Sequence, residues 1–160
     1  MTMSTQRTMS GGRASRAELP KGPSGRALCR WCSLEVPRRR LTFCSDWCVH
    51  EWRLRTDPGY LRQQVFARDR GRCSLCRIDA LEAFRRLKRA RGNSRKIMLD
   101  YFGLNSISRK SLWDADHILP VCEGGGECDL GNIRTLCLAC HRDVTYALHH
   151  RLRKASQLAS

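Results

Sequence analysis

The chain has 160 residues, thirty Lys+Arg against fifteen Asp+Glu, a net charge of +15 and a pI near 10.1, with 41% hydrophobic and 7% aromatic residues. That length allows one modest domain, or a small module joined to another, and the sparse aromatic content leaves a core that needs staples. No apolar run approaches the ~20 residues of a membrane span, and the excess of arginine suits a polyanionic partner.

Residues 1–26 are rich in Ser, Gly and Arg. They read as a disordered basic tail without the apolar run of a signal peptide. The expectation is an intracellular chain, where thiols stay reduced and paired cysteines serve as metal ligands rather than disulfides.

Residues 27–56 carry Cys29-x-x-Cys32 and Cys44-x-x-x-Cys48, with eleven residues between the pairs. Four thiolates from two tight turns suit a tetrahedral zinc ion. The Phe43-Cys44-Ser45-Asp46-Trp47-Cys48 wording resembles treble-clef-like zinc modules. His50 is a spare ligand, better read as a surface histidine. Trp47, Val49, Trp52 and Leu54 predict a short helix from Asp46.

Asp57-Pro58-Gly59 predicts a turn. A helix is expected over Tyr60–Arg70, with Gly71 at its C-cap. Cys73-x-x-Cys76 forms a knuckle, and Asp79 is placed to cap a helix reaching about Ala90. The stretch from Arg91 to Lys110 is ambiguous, with Ile97 to Phe102 suited to a short covering helix. Leu112–Leu119 and Ile133–Leu136 read as strands around the Gly124-Gly125-Gly126 loop, and Leu138 to about Lys154 as a closing helix.

Cys73, Cys76, Cys137 and Cys140 make a second tetrad, with 60 residues between its two knuckles. Cys122 and Cys128 are left over as free thiols. His149 and His150 read as surface residues, and Trp31 and Trp113 as packing residues rather than base-stacking platforms. Inside and beside the second tetrad lie Asp116-His117-Ile118-Leu119-Pro120, then Asn132-Ile133-Arg134-Thr135-Leu136, then Cys140-His141. A folding zinc site has no need of that polar set.

In that order, these pieces resemble the HNH endonuclease family, over roughly residues 60–146. The longer run from Cys29 through Asp57-Pro58-Gly59-Tyr60 is similar to the C-terminal HNH module of zinc-finger annealing helicases. The helicase is absent from this sequence, which contains no Gly-x-x-x-x-Gly-Lys-Ser/Thr loop. The resemblance implies an α+β fold: a small zinc-stapled ββα-metal core with added helices over 57–155, behind the N-terminal treble-clef-like module. It implies a metal-dependent endonuclease acting on DNA and leaving a 5′-phosphate and a 3′-hydroxyl. His117 matches the general base, and Asp116 and His141 match ligands of the catalytic divalent ion, Mg²⁺ or another. Asn132 matches the residue that braces the loop or, in some members, reaches the metal.

Asp116 and His117 can both reach one site only if the strand ends or bends there, because neighbouring strand residues face opposite ways. Arg134 and Arg142 flank the site as candidate phosphate holders. The rival readings are a non-catalytic zinc-stabilised nucleic-acid-binding module and an adaptor gripping a protein partner through the N-terminal module. With no helix-turn-helix or finger array, cleavage is expected to be structure-preferring or weakly sequence-specific.

Overall fold

The computed structural model describes residues 14–126 and 129–158. Two compact units divide the chain, Met1–Leu61 and Arg62–Ser160.

In the first unit, Ser15 Oγ accepts from the Ala17 N–H at 3.2 Å, and Glu18 Oε2 accepts from the Ser15 N–H at 3.0 Å, which closes a capping box on a 3₁₀ turn. Glu35 then ties down the next stretch. Its Oε1 accepts from Ser24 N at 2.7 Å, and its Oε2 from Arg26 Nη2 at 3.1 Å. Leu19 and Ala27 are buried. From Ser15 onward, the segment expected to be a disordered tail is therefore tied to the module behind it. The rest of that expected tail, residues 1–13, lies outside the described residues. Cys29, Val36 and Cys48 form a small core with Trp31, Phe43 and the remaining cysteines around it. Helix α1, Asp46–Thr56, starts on Ser45, whose hydroxyl accepts from Cys48 N at 3.1 Å.

Helix α2, Pro58–Asp69, ends where Arg70 and Gly71 both take positive φ, 55° and 74°. The positive φ favours glycine at position 71, and a methyl group there would also push on the Leu81 side chain, 2.7 Å from its Cδ1. Helix α3, Ala80–Arg89, is capped as expected: Asp79 Oδ1 accepts from Leu81 N and Glu82 N, each at 3.0 Å. The ambiguous stretch contains helix α4, Gly92–Phe102, closed by Gly103 at φ 66°.

Strands β1, Trp113–His117, and β2, Ile133–Cys137, form an antiparallel pair in which Asp116 faces Arg134 and His117 faces Ile133. Helix α5, Leu138–Leu158, leaves β2 without a connecting loop and packs back on both strands. This two-strand, one-helix arrangement with added helices is the α+β fold the sequence implied. Its core holds Val65, Leu87, Leu112, Ile133 and Leu136, all fully buried. Thr135 is buried among them and donates its hydroxyl to Asp69 Oδ2 at 2.8 Å. Arg68 pairs with the same carboxylate and donates to the carbonyls of Leu130 and Ile133, at 2.5 and 2.7 Å. One Arg-Asp pair on α2 thereby fixes the entry to β2.

Candidate functional site

The two cysteine tetrads are both assembled. In each, the four sulfur atoms lie within 4.8 Å of one another. Cys32 and Cys44 are 3.4 Å apart at sulfur, Cys44 and Cys48 3.3 Å, and Cys76 and Cys137 3.7 Å. Zinc–sulfur bonds of about 2.3 Å in a tetrahedron put the sulfurs about 3.8 Å apart, so the donor sets fit zinc.

Their acidities agree with this. Burial pushes the Cys29 and Cys73 thiols up, but backbone N–H groups directed at each sulfur outweigh it and bring both down to about 7. Burial pushes Cys48 up to about 12 and Cys137 up to about 11, and raises Cys140 further. Burial thus opposes ionisation of Cys48, Cys137 and Cys140, and a cation held by the four sulfurs would offset that cost. His50 joins neither tetrad; its Nδ1 lies 2.8 Å from the Tyr60 hydroxyl. Cys122 is exposed and belongs to neither set, and Cys128 lies outside the described residues.

The polar set lies along the hairpin, toward the loop that joins its strands. Alternation along β1 puts Asp114 and Asp116 on one face of the strand. His141, one residue beyond the Cys140 ligand position on α5, reaches that face: its Nε2 lies 3.6 Å from Asp116 Oδ1, and its Nδ1 3.9 Å from Asp114 Oδ2. Successive helical residues point ~100° apart, so Cys140 turns to the sulfur tetrad while His141 turns to the carboxylates.

The two oxygens of Asp116 are divided. Arg134 Nε and Nη2 both donate to Oδ2 at 3.1 Å, while Oδ1 faces His141. A divalent ion with about 2.1 Å bonds to two adjacent octahedral ligands holds them about 3.0 Å apart, so Asp116 Oδ1 and His141 Nε2 fit such an ion after a small closure.

The ladder ends at His117, and the chain turns away at Ile118 and Leu119. The strand does end at the Asp116-His117 step, which is one of the two ways the pair can address one site. Asn132 stands across that turn. Its Oδ1 accepts from Leu119 N at 2.8 Å, and its Nδ2 donates to the carbonyls of Leu119 and Gly125 at 3.0 and 2.9 Å. Gly125 leaves no room for a side chain, because a Cβ there would sit 1.8 Å from the Leu119 carbonyl oxygen.

Arg134 is paired with Asp116 and is 20% exposed. The cause is register, since opposite charges stand directly across the hairpin. Arg142 is the freer of the two, with 54% of its side chain exposed and Asp143 at 3.7 Å. Trp113 is buried, its ring stacked on Phe66 at 6.0 Å with the Arg62 guanidinium 3.7 Å from its centroid.

Sequence reasoning gave no motif position to the support around Asp114. Arg109 Nη2 donates to both of its oxygens, at 2.5 and 2.7 Å, and Arg62 Nη1 lies 3.4 Å from Oδ1. Its two-residue offset from Asp116 on a predicted strand was the available signal.

Comparison with known proteins bears on the same segment. A family model described as HNH endonuclease matches residues 104–146. The mouse DNA annealing helicase and endonuclease ZRANB3 is 37% identical over 142 residues, 76% of this chain and 13% of that protein. The bovine protein of the same name is 39% identical over 115 residues, 64% of this chain and 11% of that protein. The chain thus spans a small part of the curated relatives it matches. A crystal structure of the human ZRANB3 HNH domain is 33% identical, covering 62% of this chain and 97% of that one, with a TM-score of 0.46.

Proposed function

We propose that this chain, a member of the HNH endonuclease family through residues 104–146, hydrolyses phosphodiester bonds of DNA with the help of a divalent ion. The observation that carries the reading is the pairing of Asp116 Oδ1 with His141 Nε2 at 3.6 Å, beside His117 and beneath a loop braced by Asn132. Asp116 and His141 hold the ion, which when bound supplies positive charge at the phosphate and the leaving oxygen. His117 takes the proton from the attacking water, a role suited to a neutral imidazole near pH 7. Asn132 keeps the segment after His117 in one shape, so that the base stays aimed. Arg134 neutralises the second oxygen of Asp116, and Arg142 is placed to meet a phosphate. The cysteine tetrads hold two structural zinc ions, which act as frame.

The substrate reading is DNA recognised mainly through its phosphates. The charge of +15 supports it, and so do the names of the ZRANB3 relatives, which describe DNA helicase and endonuclease proteins. Cleavage is structure-preferring or weakly sequence-specific. No helix among the described residues is long and apolar enough to cross a membrane.

The decisive experiment is nicking of supercoiled plasmid in Mg²⁺ or Mn²⁺ by the wild type and by His117→Ala, both with measured zinc content and folded by circular dichroism. Nicking by the wild type alone is the expected result. Equal nicking by both removes His117 as the base. DNA binding without nicking by either, across duplex, fork and flap substrates, favours a non-catalytic binding module.

A further inference from the structure

We infer that Asp114 is a positioning residue for the candidate divalent-ion site, acting through the far nitrogen of His141; this rests on the reading of Asp116 and His141 as ligands of that ion. The two nitrogens of His141 face different carboxylates. Nε2 faces Asp116 Oδ1 at 3.6 Å, and Nδ1 faces Asp114 Oδ2 at 3.9 Å. When Nε2 binds a cation, the ring proton sits on Nδ1 and needs an acceptor. A carboxylate there fixes the tautomer, holds the ring angle and makes the ligand nitrogen more basic. At 3.9 Å, Nδ1 and the Asp114 carboxylate are within a shift of about 1 Å of hydrogen-bond distance.

Asp114 is built for that task rather than for binding the ion itself. Its carboxylate is gripped on both oxygens by Arg109 at 2.5 and 2.7 Å, and Arg62 stands 3.4 Å from Oδ1. Arg62 is in turn fixed by Ser111 Oγ at 2.6 Å, by the Trp113 carbonyl at 2.7 Å and by the Trp113 ring. Two guanidinium groups satisfy most of the charge that a direct ligand would offer, yet leave an oxygen able to accept one more N–H. The arrangement is a relay from a rigid arginine pair, through Asp114 and His141, toward the ion.

The test measures Mn²⁺ binding by calorimetry and electron paramagnetic resonance, without DNA, for the wild type, Asp114→Asn, Asp114→Ala and His141→Ala. Each protein is checked for two zinc ions and an unchanged circular dichroism spectrum. In parallel, ¹⁵N-histidine NMR at one fixed pH reads the His141 tautomer. The expected result is a loss of roughly 10-fold to 100-fold in Mn²⁺ affinity for the Asp114 variants, with the His141 proton moving off Nδ1. Should Asp114→Ala not fold, Asp114→Asn, which keeps the volume, carries the test. Wild-type affinity and tautomer in the Asp114 variants overturn the inference. So does a loss of affinity with the tautomer unchanged, because Asp114 is then a direct ligand. If His141→Ala binds Mn²⁺ like the wild type, the ligand reading of the site fails instead, and the relay with it.

Discussion

Asn132 and Leu119 exchange a reciprocal pair of hydrogen bonds across the loop that joins the two strands. The Leu119 N–H donates to Oδ1 at 2.8 Å, and Nδ2 donates to the Leu119 carbonyl at 3.0 Å. One side-chain amide thus substitutes for a strand partner just past the end of the ladder. Aspartate at this position lacks the N–H donors, and alanine lacks both functions.

Asn132→Ala is therefore expected to lower nicking about 100-fold, the order of loss that follows from ~1 Å misplacement of a catalytic group. Global stability should fall by only ~1 kcal/mol, because Leu119 is 47% exposed and water replaces the lost partners. Plasmid nicking beside chemical denaturation checks this. Unaltered nicking would remove the brace from the mechanism.

Gly125→Ala should behave similarly for a different reason. The added carbon meets the Leu119 carbonyl at 1.8 Å, so the loop must open. Nicking should drop sharply while both zinc ions stay bound. Zinc counted by a chromogenic chelator together with nicking rates separates this from global unfolding.

The Asp69 carboxylate carries an acid-sensitive share of the stability. Its pKa is held below the usual carboxylate range first by the Arg68 guanidinium and then by the Thr135 hydroxyl, against the opposing effect of burial. A carboxylate with a depressed folded pKa adds stability above its unfolded value of about 3.9 and loses it as pH falls through the folded one. The stability advantage of the wild type over Asp69→Asn should be full at neutral pH and shrink below about pH 4. Taking the difference between the two proteins cancels the zinc loss common to both. Thr135→Val should cost about 1–3 kcal/mol at neutral pH, since it removes a buried hydrogen bond.

Cys140→Ser should reduce bound zinc from two ions to one and destabilise the strand-helix unit severely, because structural zinc contributes ~10 kcal/mol or more to folding. The remaining ion belongs to the Cys29, Cys32, Cys44 and Cys48 set. Metal analysis and thermal melts of the variant test both parts, and a variant that keeps two zinc ions would contradict the assignment.

Affinity for DNA should collapse with salt. A protein that contacts 6–10 phosphates loses roughly 10³- to 10⁵-fold in affinity between 50 and 200 mM salt. Arg142→Ala should weaken binding to all sequences alike and reduce the salt slope by about one unit. A salt-independent affinity would argue against phosphate-led recognition.

Much of this architecture was legible locally. The Cys-x-x-Cys turns, the Asp79 cap, the glycine loop and the hairpin strands depend on neighbours within a few residues, which sequence pattern records. Helix α4 was ambiguous because Ile97 and Tyr101 remain exposed, which leaves its amphipathic pattern weak. The contacts of Ser24 and Arg26 were not legible because Glu35, a residue well outside that segment, supplies them. The Arg68–Asp69–Thr135 clamp and the Arg62–Asp114 contact link positions more than fifty apart, and a single sequence carries no trace of such pairs. The Arg134–Asp116 pair could have been read from the hairpin alone, since pairing the predicted strands puts the two residues opposite each other.

The two tetrads differ in how their ligands are spread along the chain. The first draws all four from residues 29–48, whereas the second takes two from 73–76 and two from 137–140. On the ribosome, the first can capture its ion soon after Cys48 emerges. The second must wait until Cys140 has emerged and β2 has found β1. During that interval Cys73 and Cys76 lack the other half of their ligand set. The knuckle that will later frame the polar site is thus the one whose ligand set is completed last.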